Sequence, residues 1–177
     1  MRYVALFRGI NVGKAKRIAM ADLRKLLEKQ GWTGVKTLLN SGNAVFTAPG
    51  ETSESLATRI RAEVASKLGV DALVIVKSAA DVAAIIKGNA LAEVADDHSR
   101  LLVAVANDPR HIAALKKHTA RTWGAEQIHV NRHAAYLWCA QGILESKAAV
   151  ALLGDLKDQG TTRNWNTLNK LHALLSE

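Results

Sequence analysis

Near the start of the chain, Arg8-Gly9-Ile10-Asn11-Val12-Gly13-Lys14 places a guanidinium, an amide and an amine around two glycines, directly after the apolar run Tyr3 to Phe7. Glycine-bearing loops that follow a strand can cradle phosphate with backbone N–H groups. The spacing excludes the two common cradles. A Walker A loop sets its glycines one residue further apart and follows the lysine with Ser or Thr, whereas here Ala15 follows Lys14. The dinucleotide fingerprint needs a further glycine and a parallel βαβ run, and neither is present. Two readings stand: an anion nest built from backbone amides, or a turn that uses glycine for its geometry.

A second polar stretch, "TTRNWNTLNK" at 161–170, gathers three asparagines at what reads as a helix start. Asparagine is a poor helix former, so its use there needs a reason. With Thr161 or Thr162 as cap, Arg163, Asn164 and Asn166 fall in a first turn whose N–H groups can receive an anion. Trp165 beside them reads as core.

The charge distribution points the same way. The 177-residue chain has a formal net charge of +8, and residues 1–36 carry nine basic side chains against two acidic ones, Asp22 and Glu28. Arg24, Lys25, Glu28 and Lys29 fit a solvated helix face. Lys14, Lys16 and Arg17 cluster in the loop, where a local positive field attracts polyanions or phosphorylated ligands.

The elements that position these residues follow from hydrophobic period and turn chemistry. Tyr3 to Phe7 reads as a strand. "MADLRKLLEKQ" is a helix stopped by Gly31, and "VKTLL" and "NAVFT" form a hairpin around Ser41-Gly42. A helix capped by Ser53 runs to Leu68 before Gly69, and 72–77 is a strand. This order, β-α-β-β-α-β, is the split βαβ arrangement of a ferredoxin-like unit. In it the first and second strands run parallel with the third between them. The opening loop and the "NSGN" turn therefore become neighbours, and Arg8, Asn11, Asn40, Ser41 and Asn43 converge on one rim. Such a rim suits an anionic or polar ligand, although Asn, Ser and Gly are also ordinary turn residues.

After a helix at 79–87, capped by Ser78, and the polar stretch 95–100, the pattern begins again. A strand at 101–106 precedes Asp108-Pro109 and a helix to about His118. A hairpin around Arg132-His133 and a helical region from about Glu145 follow. No closing strand is evident, and a helix ends the chain. The fold class expected is α+β: two ferredoxin-like (split βαβ) subdomains with antiparallel sheets, the first over 1–95 with its connecting helix, the second over 96–177.

Other chemistry is thin. His129 and His133 flank the second hairpin without a third ligand, so no metal site is expected. Cys139, the one cysteine, sits in the apolar "AAYLWCA" and reads as a small buried hydrophobe. No catalytic constellation stands out, and no cofactor is implied. The single thiol, the lack of an apolar run long enough for a membrane and the absence of a visible signal segment favour a cytoplasmic protein.

"YVALFRGINVG", "MADLRKLLEKQGW", "SGNAVF" and "TRNWNT" together resemble domain of unknown function family 1697, a family of small bacterial proteins. The resemblance implies two α+β subdomains of ferredoxin-like character. It supplies no catalytic residues, because the family has no established activity. Where many members continue the loop with a further glycine and a polar residue, this chain has "GKAKRIAM".

The expected function is a non-catalytic module that binds phosphate-bearing ligands or nucleic acid through the basic N-terminal rim: Arg8, Asn11, Gly13, Lys14, Lys16, Arg17, Ser41 and Asn43, joined by Arg163 and Asn164 from the terminal motif. The alternative is an enzyme acting on a small polar or phosphorylated substrate in a cleft between the subdomains. RNA-recognition domains share this architecture, but the third strand offers only Phe46 for stacking.

Overall fold

The computed structural model describes residues 1–177. The chain divides into two compact units, Met1–Ala80 with Leu171–Glu177, and Asp81–Lys170. This division places most of the helix over Ala79–Lys87 with the second unit, and divides the last helix, Trp165–Leu175, at Leu171.

In the first unit β1 (Arg2–Phe7), α1 (Met20–Lys29), β2 (Thr33–Thr37), β3 (Asn43–Thr47), α2 (Ser53–Leu68) and β4 (Val74–Ser78) follow the split βαβ order. The sheet order is β2-β3-β1-β4, and β1 pairs antiparallel with both β3 and β4. Alternation sorts the strand residues. Tyr3, Ala5, Phe7, Ala44, Phe46, Val74 and Val76 join Leu23, Leu27, Leu56, Ile60 and Val64 from α1 and α2 in one core. Val4, Leu6, Val45 and Ile75 point to the opposite face and are equally buried. On that face Arg2 donates to the Leu174 carbonyl at 2.9 Å, and Lys36 pairs with Glu177. The cap of α2 is Thr52, whose hydroxyl accepts from Ser55 N–H at 3.1 Å, one residue before the expected Ser53.

The second unit repeats the plan with β5 (Leu101–Ala106), α4 (Pro109–Ala113), β6 (Gln127–Val130), β7 (Ala135–Trp138), α5 (Lys147–Leu156) and β8 (Gly160–Asn164), in sheet order β6-β7-β5-β8. Asp108 caps α4 as expected, accepting from Arg110 N–H at 2.9 Å, but the helix tightens into a 3-10 segment over Ala114–Ala120. α3 (Ala79–Lys87) contributes most of its length to this unit. It lies on the sheet face opposite α4 and α5, where the Tyr136 hydroxyl donates to the Ile85 carbonyl at 2.6 Å.

β8 corrects the expectation that the second subdomain lacks its closing strand. Residues 160–164 pair along β5 from Ala106↔Gly160 to Leu102↔Asn164. The segment carries no apolar alternation. Two β-branched threonines and full pairing to a buried central strand make it extended. α6 (Trp165–Leu175) begins only afterwards, and its cap is Asn164, whose side-chain oxygen accepts from Thr167 N–H at 2.9 Å. No helix is long and apolar enough to cross a membrane.

Gly160 shows how tightly the closing strand is seated. A Cβ there would lie 2.5 Å from the Val105 carbonyl oxygen and 2.7 Å from a Leu156 methyl. The carbonyl belongs to the paired strand and cannot swing aside. Gly160→Ala is expected to destabilise the protein by about 1–3 kcal/mol, read as a lowered denaturant midpoint. An unchanged midpoint would mean that β8 is not packed as described.

Candidate functional site

The rim predicted from topology forms within the first unit. β1 runs directly into the loop at 8–19, and the β2–β3 turn lies against it: Phe7 N–H donates to the Gly42 carbonyl at 2.9 Å. Gly42 sits at φ 92°, and a Cβ on it would lie 2.5 Å from Ile10 Cδ1 and 2.8 Å from Phe7 Cβ. The glycine of the hairpin is thus needed both for its left-handed backbone and for contact with the opening loop.

Asn11 braces the two segments. Its side-chain N–H₂ donates to the Ile18 and Asn40 carbonyls, both at 2.8 Å, and its side-chain oxygen accepts from Ile18 N–H at 2.8 Å. Asn43, fully buried, donates to the Leu38 carbonyl at 2.7 Å and the Ser41 hydroxyl at 3.2 Å. Both side-chain N–H groups of each amide are therefore engaged inside the fold, and these two residues hold the rim in shape. Arg17, exposed, folds back onto the loop's own backbone, donating to the Asn11 and Gly13 carbonyls at 3.1 and 3.3 Å.

What the loop presents outward is backbone and lysine. φ is positive at Gly9, Asn11 and Gly13 and negative at Ile10 and Val12 between them. Alternating handedness of this kind turns successive N–H groups toward one concave side. The N–H groups of Val12, Gly13 and Lys14 donate to no protein acceptor. Lys14 and Lys16 are exposed beside them. Lys16 also helps, after Arg61, to hold the Asp71 carboxyl below its ordinary pKa. Arg8 is half-buried, and its N–H donates to the Leu73 carbonyl at 3.0 Å.

The terminal motif belongs to the second unit and is not a helix start with free amides. Arg163 lies in β8 opposite Val103, only 8% exposed, and its guanidinium donates to the Thr161 hydroxyl and the Thr162 carbonyl. Burial pushes its pKa down to about 10, so it stays a cation at neutral pH. Asn164 is spent on the cap, and Asn169 donates back to the Trp165 carbonyl at 2.8 Å. Those uses explain two of the three asparagines that the sequence left without a reason.

The remaining candidates have structural roles. Cys139 is fully buried, and burial raises its thiol pKa. His129 stacks on Tyr136, and His133 accepts from Arg132 at 3.1 Å. Phe46 is buried between Trp32 and Tyr3, with ring centroids 4.7 and 5.8 Å away, on the helix-covered face of its sheet.

Two substitutions separate brace from turn. Asn11→Ala removes three hydrogen bonds and should cost about 2–3 kcal/mol, with faster amide exchange at Ile18. Wild-type protection at Ile18 in that variant would refute the brace. Gly42→Ala combines a left-handed backbone with a clash and should cost about 2–4 kcal/mol, measured by chemical denaturation; a loss below that of Asn11→Ala would count against the close packing of turn and loop.

Comparison with known proteins agrees with this architecture. Over 98% of its own length and 98% of the other, the chain superposes on the conserved bacterial protein SP0830 from Streptococcus pneumoniae, with a TM-score of 0.80 and 23% sequence identity. That likeness establishes the fold. No curated protein matches the sequence. Residues 1–136, which carry the opening loop, its hairpin and the second repeat as far as the start of β7, match the model of the protein of unknown function family DUF1697, and the chain belongs to that family.

Proposed function

We propose that the protein is a non-catalytic binding module that engages phosphate groups, free or on nucleic acid, through the loop at 9–17. The observation that carries this reading is the run of alternating φ signs from Gly9 to Gly13, with the unengaged N–H groups of Val12, Gly13 and Lys14 next to exposed Lys14 and Lys16. Backbone amides in a concave array complement a tetrahedral anion, and two mobile ammonium groups add charge without fixing the direction of approach. Asn11, Asn43 and Arg17 then act as positioning residues that pre-set the loop. Ser41, exposed on the adjoining turn, lies at the edge of the same rim. A buried, single cysteine fits a reducing, cytoplasmic setting for such a module.

Recognition would rest on charge, because Asn11 and Arg17 are engaged within the loop and the groups facing outward are main-chain N–H groups and two lysines suited to phosphate. Affinity for a mixed-sequence single strand should therefore fall steeply with salt. The double variant Lys14→Ala/Lys16→Ala should flatten the log–log salt slope by about 1–1.5, at roughly 0.7 per lost phosphate contact. Fluorescence anisotropy with labelled DNA and RNA from low to physiological salt provides the measurement. Absence of binding at low salt, or a slope unchanged in the double variant, would overturn the assignment.

A further inference from the structure

A second site, independent of the loop, is built in the other unit. The turn from Trp123 to Glu126, closed by Glu126 N–H donating to the Trp123 carbonyl at 3.2 Å, borders a cleft of about 400 Å³, within the range of about 300–1,000 Å³ that small-molecule sites occupy. Arg121, Trp123, Glu126, Gln141, Glu145 and Lys147 are among its lining residues. We propose that this cleft binds a small planar aromatic anion, a heterocycle that carries a phosphate or a carboxylate.

The indole is fixed. Its N–H donates to the His118 carbonyl at 2.9 Å, and part of it packs on the cluster of Leu102, Leu137, Cys139 and Ala149. The Arg121 guanidinium lies 4.3 Å from the ring centroid. Arg121 is exposed, and no carboxylate ties it down. A guanidinium held flat by attraction to a ring alone can lift, so a planar ligand can enter between indole and guanidinium and stack on both.

The charges choose the ligand's sign. Glu126 is already committed: the Ser146 hydroxyl donates to its carboxylate, and Ala148 N–H lies 3.4 Å from its other oxygen. Ala149 N–H is likewise taken by the Ser146 hydroxyl at 2.9 Å. The start of α5 is therefore closed by protein groups and is not the anion's seat. Arg121 and Lys147 face the cleft with two carboxylates, Glu145 and Glu126, and the positive end of α5 offsets part of the Glu126 charge. This balance favours an anion held by two side-chain cations, with Glu145 and Gln141 available to hydrogen-bond donors on the ring.

Trp32, Trp138 and Trp165 are buried, so quenching of tryptophan fluorescence by a bound ring reports on Trp123. The intact protein is titrated with AMP, nicotinate, adenosine and inorganic phosphate. AMP or nicotinate should quench saturably with half-saturation below about 1 mM, and adenosine and phosphate should bind at least about tenfold more weakly. The better of the two charged rings identifies phosphate or carboxylate as the preferred anion. Arg121→Ala and Lys147→Ala, both surface changes whose folding is checked by thermal melting, should each weaken binding by about three- to tenfold, while Lys14→Ala/Lys16→Ala should leave it unchanged. The proposal is overturned if neither charged ring quenches saturably, if adenosine equals AMP, or if both cleft variants bind as wild type.

Discussion

The pairing of β1 with β3 on one side and β4 on the other is the constraint from which the first unit is built. Every residue from Tyr3 to Phe7 is withdrawn from solvent, on both faces of the sheet. A slip by one residue would exchange the set facing α1 and α2 for the set facing away. Because both faces are filled, neither exchange is tolerated. The register then dictates where the chain leaves the strand: Leu6 pairs with Asn43, and Phe7 reaches the Gly42 carbonyl. The loop and the hairpin turn meet because the strands beneath them cannot shift.

That meeting decides how polar residues at the rim are used. An amide placed beside backbone with unmet carbonyl or N–H groups is consumed by them, since leaving those groups unpaired is costly. Asn11 and Asn43 follow this rule, and Asn164 follows it at the start of α6. Types that look like ligand-binding groups in the sequence thus become the frame. The groups left unengaged at the rim are main-chain N–H groups, invisible in a sequence because nearly every residue carries one, and the lysines.

The same distinction separates what was legible in the chain from what was not. Apolar period and glycine stops located β1, α1, β3, α2, α3 and β5 closely, and the order of elements gave the adjacency of loop and turn. β8 escaped because Gly-Thr-Thr-Arg-Asn has no apolar alternation; its conformation comes from pairing with β5, a long-range contact with no local signature. The 3-10 tightening after Ala113 lies in a run whose side chains favour a regular helix, so tertiary packing, not propensity, sets it. The cleft beside Trp123 was missed for a related reason. Its residues come from the segment before β6 and from the approach to α5 with its first residue, about twenty positions apart, and only the fold brings them to one place.

Burial of the sheets also limits how a nucleic acid could be engaged. Modules that read single strands on a ferredoxin-like sheet lay bases across its open face, on exposed aromatic side chains. Here the face turned away from α1 and α2 is lined by Val4, Leu6, Val45 and Ile75, none more than 1% exposed. Phe46, on the other face, is enclosed by Trp32 and Tyr3. Stacking on the first sheet is therefore closed from both sides, and a polyanion, if bound by this unit, would be met only at edges and loops. Loops that present amides and lysines measure charge and phosphate geometry, which every strand shares. A protein built in this way would discriminate by where phosphate is dense or freely accessible rather than by base order.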